Sequence, residues 1–165
     1  MATGQLLCGR TNFPLYGRNG TLLFETGISM AVEITVSWVG GLDLDIDGHY
    51  NVVDGDVGYD HGEKIERDGF TAHWDGDDTG AGPERVHLAY TGRRSLSEVK
   101  FYIHANWYHE GSEGSCTVTA TDAKGGGQSY TFSPSKSHGK PASRGDPGAC
   151  INFNFDGSVK SITAG

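Results

Sequence analysis

The chain has 165 residues, a net charge of −8 and 26 glycines alongside seven Tyr, seven Phe and three Trp. This size suits one domain with its own core, and a hydrophobic content of 36% lies above a disordered composition. The negative charge argues against a general nucleic-acid binder and against docking on anionic lipid, and no run of roughly 18 apolar residues predicts a transmembrane segment.

Residues 1–30 read as an N-terminal extension or edge strand, with "TNFPLYGRNGTLLFETG" offering a hairpin turn at Asn19-Gly20. The opening "MATGQLLCGR" lacks the apolar run of a signal peptide, so a cytoplasmic setting is expected, with a secreted or surface setting as the alternative. "AVEITVSW" (31–38) is the first clear strand, with Val32, Ile34, Val36 and Trp38 on one face. After Gly40-Gly41, "LDLDIDG" resumes the alternation. Leu42, Leu44 and Ile46 are expected in the core, and Asp43, Asp45 and Asp47 on the opposite face.

Residues 48–69 are turn-rich, with a short strand expected near Tyr50–Val53. Strands follow at "FTAHW" (70–74), "ERVHLAY" (84–90) and "VKFYIHANWY" (99–108), then at "SCTVTATD", "GQSYTFS", "ACINFNFDG" and "SVKSITAG". The segment 133–148, "SPSKSHGKPASRGDPG", reads as a long exposed loop. Eight to ten closely spaced strands without a helical period predict an all-β fold, a single antiparallel β-sandwich over residues 31–165.

Cys8, Cys116 and Cys150 form neither a metal-binding pair nor a disulfide framework. Cys116 reads as a buried thiol, with a Cys116–Cys150 bridge as the alternative.

The acidic residues are unevenly spread. Residues 41–84 hold 13 of the 21, with only Lys64 and Arg67 as bases. Such a segment repels itself unless it is a solvated face or holds a cation. "DGDDTGAGPE" combines Asp75, Asp77, Asp78 and Glu84 with pivoting glycines, which is what a calcium shell of oxygen ligands needs. "LDLDID" adds carboxylates fixed by a strand. Asp43, Asp45, Asp75, Asp77, Asp78 and Glu84 are therefore the candidate metal ligands, for one or two calcium ions. Asp47 is less favoured because Gly48 offers a turn. The pattern is not an EF-hand, and no Cys or His stands at a structural zinc spacing.

"LDLDIDG", "DGDDTGAGPERVHLAY" and "VKFYIHANWY" together resemble the tellurium-resistance and stress-protein (TerD-like) domain, over about residues 22–122. Trp38, Asp43 and Asp45 match its first block, Gly76, Asp77, Thr79 and Gly80 its second, and Glu84 the acid before the next strand. The chain has "GPE" where that family usually has "GDDE". The resemblance implies a β-sandwich that binds calcium, usually two ions, without an established catalytic step. It also implies links to tellurium resistance, stress response, phage inhibition and membrane-associated complexes. A second resemblance, to calcium-binding β-sandwich domains of secreted peptidases, implies structural calcium outside the cell.

The function expected is thus a non-catalytic, calcium-binding regulatory or scaffold module, whose partners beyond calcium are another protein or a carbohydrate and not nucleic acid. The alternatives are a structural, adhesion or carbohydrate-binding sandwich stapled by calcium, with Tyr59 or Tyr108 as the sugar platform, and a hydrolase using the acids with a nearby histidine such as His49, His61 or His73. The tripeptide Arg144-Gly145-Asp146 and the sequon at 19–21 are weak motifs for adhesion and glycosylation.

Overall fold

The structure is a computed structural model that describes residues 10–16 and 22–165. Cys8, the expected turn at Asn19-Gly20 and the sequon lie outside the described residues. Twelve strands are present among the described residues: β1 (Arg10–Tyr16), β2 (Leu22–Val39), β3 (Leu44–Tyr50), β4 (Val57–Gly58), β5 (Lys64–Arg67), β6 (Phe70–Trp74), β7 (Glu84–Gly92), β8 (Lys100–Trp107), β9 (Ser115–Asp122), β10 (Gly127–Phe132), β11 (Gly148–Phe153) and β12 (Val159–Ala164).

They form two antiparallel sheets packed face to face. The first runs β10-β9-β2-β7-β6-β5, with β1 paired to the beginning of β2, and the second runs β12-β11-β8-β3-β4. The period-2 pattern dictates this layering. Val32, Ile34 and Val36 from β2, Val86 and Leu88 from β7 and Val118 from β9 face Leu44 and Ile46 from β3, Phe101, Ile103 and Ala105 from β8 and Phe153 from β11, all buried. Trp38, Trp74 and Trp107 are buried with them. Tyr50 spans the layers, its hydroxyl donating to the Thr71 carbonyl of β6 at 2.9 Å.

Three local expectations change. Leu42 is not in the core: it is 54% exposed, because Asp43 adopts φ of 61° and the alternation starts afresh at Leu44. No strand continues over 51–53: β3 ends at Tyr50. There Asn51 caps the neighbouring chain instead, its side-chain oxygen accepting from the Lys100 amide at 2.7 Å and its amide group donating to the Glu98 carbonyl at 3.0 Å. The first long strand begins at Leu22 rather than at residue 31.

The segment 133–148 is largely exposed, as expected, and is tied to the second sheet. Ser135 forms a parallel bridge to Asn106 along the part of β8 that β11 leaves unpaired. The chain then crosses the outer face of the second sheet. Asn106 donates through its side-chain amide to the Lys140 carbonyl, His104 Nδ1 meets the Asp146 carbonyl at 2.8 Å, and Arg144 pairs with Asp56. The Arg-Gly-Asp tripeptide is tied down in the same way, since Asp146 accepts from the Ser143 amide at 2.8 Å.

Cys116 and Cys150 are both buried free thiols. Cys116 faces the core from β9, whereas Cys150 alternates with the inward Ala149 and Ile151 on β11, so the two point away from a common site.

Candidate metal centre

The acidic segments meet at one end of the sandwich. Asp43 stands just before β3 in the left-handed region, a conformation that aspartate tolerates better than most residues. Its amide donates to the Gly80 carbonyl at 3.2 Å, and its carbonyl accepts from the Tyr108 amide at 3.0 Å. These bonds tie the start of β3 to the 75–83 loop and to the end of β8. Gly82 lets the loop lie flat on the core: it has φ of 75°, and a Cβ there would meet the Trp38 ring at 2.6 Å.

Asp45 lies opposite Asn106 on the outer side of β3 and is 2% exposed. Its Oδ2 is buried without a hydrogen-bond partner. Asp77 reaches toward it from the loop. Asp43, Asp45 and Asp77 each offer an oxygen, all within 4.8 Å of one another. They line a cleft of about 190 Å³ with Tyr59, Thr79 and Tyr108, room for an ion and a few waters at roughly 30 Å³ per water.

The electrostatics are those of a repulsive cluster. Burial, then the charges of Asp43 and Asp77, push the Asp45 carboxyl up to about 7. Asp77 is raised by burial first and then by Asp43, with a hydrogen bond to Glu84 opposing. Glu84 is 2% exposed. It accepts from Trp74 Nε1 at 2.9 Å and from the Asp78 amide at 3.2 Å. Burial nevertheless pushes Glu84 up to about 8, with Asp77 and Asp45 adding to it. A donor set of carboxylate oxygens without nitrogen or sulfur, one oxygen unpartnered and buried, fits a hard divalent cation.

Asp43, Asp45 and Asp77 are the three predicted ligands brought together. Glu84 stands behind Asp77 with both oxygens engaged, holding the loop. Asp78 shapes that loop, its Oδ1 accepting from the Gly80 amide at 2.8 Å. Asp75 faces elsewhere: it meets His87 Nε2 at 2.9 Å and His73 Nδ1 at 3.4 Å, and the His87 hydrogen bond holds its carboxyl below the usual carboxylate range.

The sequence reading missed a second group with metal-ligating geometry, Asp47, His49 and Asp56. Gly48 does not turn the chain. It continues β3, and pairing of Asp47 with Gly58 of β4 carries Asp56 alongside. A His two residues after an Asp on one strand was the available signal; the β4 pairing was not legible.

Searches of the sequence against protein-family models and curated proteins, and of the fold against solved structures, found no match.

Proposed function

We propose that this protein is a calcium-binding, non-catalytic β-sandwich module, with one ion seated between Asp43, Asp45 and Asp77, acting as a regulatory or scaffold protein of the tellurium-resistance and stress type. The observation that carries the reading is the buried, unpartnered Oδ2 of Asp45 between two further carboxylates. Calcium suits the site better than magnesium. It accepts six to eight oxygens in irregular geometry, while magnesium demands a small octahedron and retains its waters. Among the described residues the carboxylates that have imidazole neighbours are Glu33, Asp47, Asp56 and Asp75, which favours an ion over acid–base chemistry at Asp45. The family reading rests on the sequence resemblance, three of whose four acids, Asp43, Asp45 and Asp77, converge, with Glu84 behind them.

Calorimetric titration of calcium and magnesium into wild type, Asp45→Asn and Asp77→Asn tests the reading. Saturable calcium binding in wild type and its weakening at least tenfold in both variants supports it. Equal binding in all three overturns it.

A second reading has a specific observation behind it. Tyr59, 42% exposed, packs edge-on to Tyr108 at 6.2 Å on the rim of the same cleft. An aromatic pair beside an ion is a platform for a sugar, the ion binding hydroxyls and the ring stacking on the apolar face. A monosaccharide panel titrated with calcium and then with chelator, in wild type and Tyr59→Ala, tests it. Calcium-dependent binding lost in the variant supports this reading, and no binding in wild type excludes it for the sugars tried.

A further inference from the structure

We infer that the outer face of the second sheet carries a separate site for a first-row divalent transition ion of the zinc class, held by Asp47, His49 and Asp56. The inference does not depend on calcium at Asp45.

The three residues each offer a ligand atom, all within 4.8 Å of one another. Asp47 is 1% exposed and His49 8% exposed. Asp47 Oδ1 and His49 Nδ1 are both buried without a hydrogen-bond partner. They face each other at 3.9 Å, and His49 Nδ1 lies 3.8 Å from Asp56 Oδ1. Those gaps are too long for hydrogen bonds. An ion with bonds of about 2.0–2.2 Å places tetrahedral ligand atoms roughly 3.4 Å apart, so closing these gaps by about half an ångström brings both groups onto one ion. Leaving a carboxylate oxygen and an imidazole nitrogen buried and unjoined is costly. A metal bound to both removes that cost.

The surroundings have the character of an outer shell. The His49 ring packs parallel to Tyr102 at 5.1 Å and to His104 at 5.3 Å, which fixes its plane. Arg144 donates to Asp56 through Nε at 2.7 Å and through an Nη nitrogen at 3.0 Å, orienting the carboxylate and leaving lone pairs for a metal. His61 Nε2 meets the Ala142 carbonyl at 3.0 Å and lies 3.9 Å from the other oxygen of Asp47. Its Nε2 is engaged by that carbonyl, so it is not counted as a ligand. The side chains of Asp56 and His61 are partly exposed, which gives the ion a way in. Imidazole selects against calcium, whose ligands are oxygens, and favours zinc-class ions. Three protein ligands leave a position for water.

The test is titration of zinc into full-length protein held in excess calcium, read by calorimetry, and of cobalt read by its visible absorption. The variants are His49→Gln, Asp56→Asn, Asp45→Asn and His87→Gln. Circular dichroism checks that each one folds. The site predicts one zinc per chain in wild type, unchanged in Asp45→Asn and His87→Gln, and weakened at least tenfold in His49→Gln and Asp56→Asn. It also predicts cobalt absorption that His49→Gln abolishes. Absence of saturable zinc binding in wild type overturns the inference. So does binding that survives His49→Gln but is lost in His87→Gln, which would assign the ion to the exposed His73–Asp75–His87 group.

Discussion

Replacing Asp45 by Asn should stabilise the metal-free protein and reduce its stabilisation by calcium. In the metal-free protein the folded-state pKa of Asp45 is raised from 3.8 to about 7. Between those values the native state holds a proton that the unfolded state has lost, so stability falls as pH rises through this window. At pH 8 the loss is complete. At about 1.4 kcal/mol per pKa unit it amounts to about 4 kcal/mol. Asn at this position removes the charge but leaves a buried amide, which costs about 1–3 kcal/mol if unpaired. The net expectation is a metal-free Asp45→Asn protein more stable than wild type at pH 8 by about 2 kcal/mol. For a chain of this size that raises Tm by roughly 4–8 °C. At calcium 100 times the wild-type Kd, wild type gains about 2.7 kcal/mol and a variant that binds tenfold more weakly about 1.4 kcal/mol, so the gap narrows by at least about 1.3 kcal/mol. Thermal melts in chelator and in calcium measure both arms. A metal-free variant less stable than wild type, or one stabilised by calcium as much as wild type, would refute the reasoning.

In chelator, wild type should be most stable near pH 4: Asp45 and Glu84 destabilise as pH rises from 3.8 to about 7 and from 4.5 to about 8, and Asp156, held down to about 2 by Ser158 and Lys124, loses its contribution as pH falls below about 4. Melts across pH should show that maximum, and calcium should shift it upward in pH. Gly82→Ala should lower Tm and weaken calcium binding together, since a Cβ at positive φ collides with Trp38 and lifts the loop that carries Asp77. A calorimetric titration with unchanged affinity would disconnect the loop from the ion. Asp75→Asn should leave calcium affinity unchanged and alter stability by no more than about 1 kcal/mol, because its histidine contacts are exposed.

The sandwich was legible because period-2 alternation is a local signal, and the inward residues of "VKFYIHANWY" could be named from the string alone. Leu42 was misread because alternation says nothing about a residue at positive φ, and Asp43 breaks the count there. At the candidate site, acidic density pointed to Asp43, Asp45 and Asp77. It could not separate these from Asp75, whose direction is set by β6, β7 and the histidines they carry. Asp47 and Asp56 were obscured for another reason. Their meeting depends on a two-residue strand, β4, too short to have a period. The 133–148 segment is largely exposed, as its Ser, Pro and Gly content implies, but its composition did not show that its carbonyls serve the side chains of His61, His104 and Asn106 across the sheet. Backbone acceptors leave no trace in composition.

Diffraction from crystals grown with calcium would read directly whether Asp43, Asp45 and Asp77 share one calcium ion. A single strong anomalous peak is expected between those three carboxylates, with oxygens at about 2.3–2.6 Å, including the buried Oδ2 of Asp45 or its partner oxygen. A cleft filled only by water, with Asp45 protonated and the calcium peak elsewhere, would contradict it.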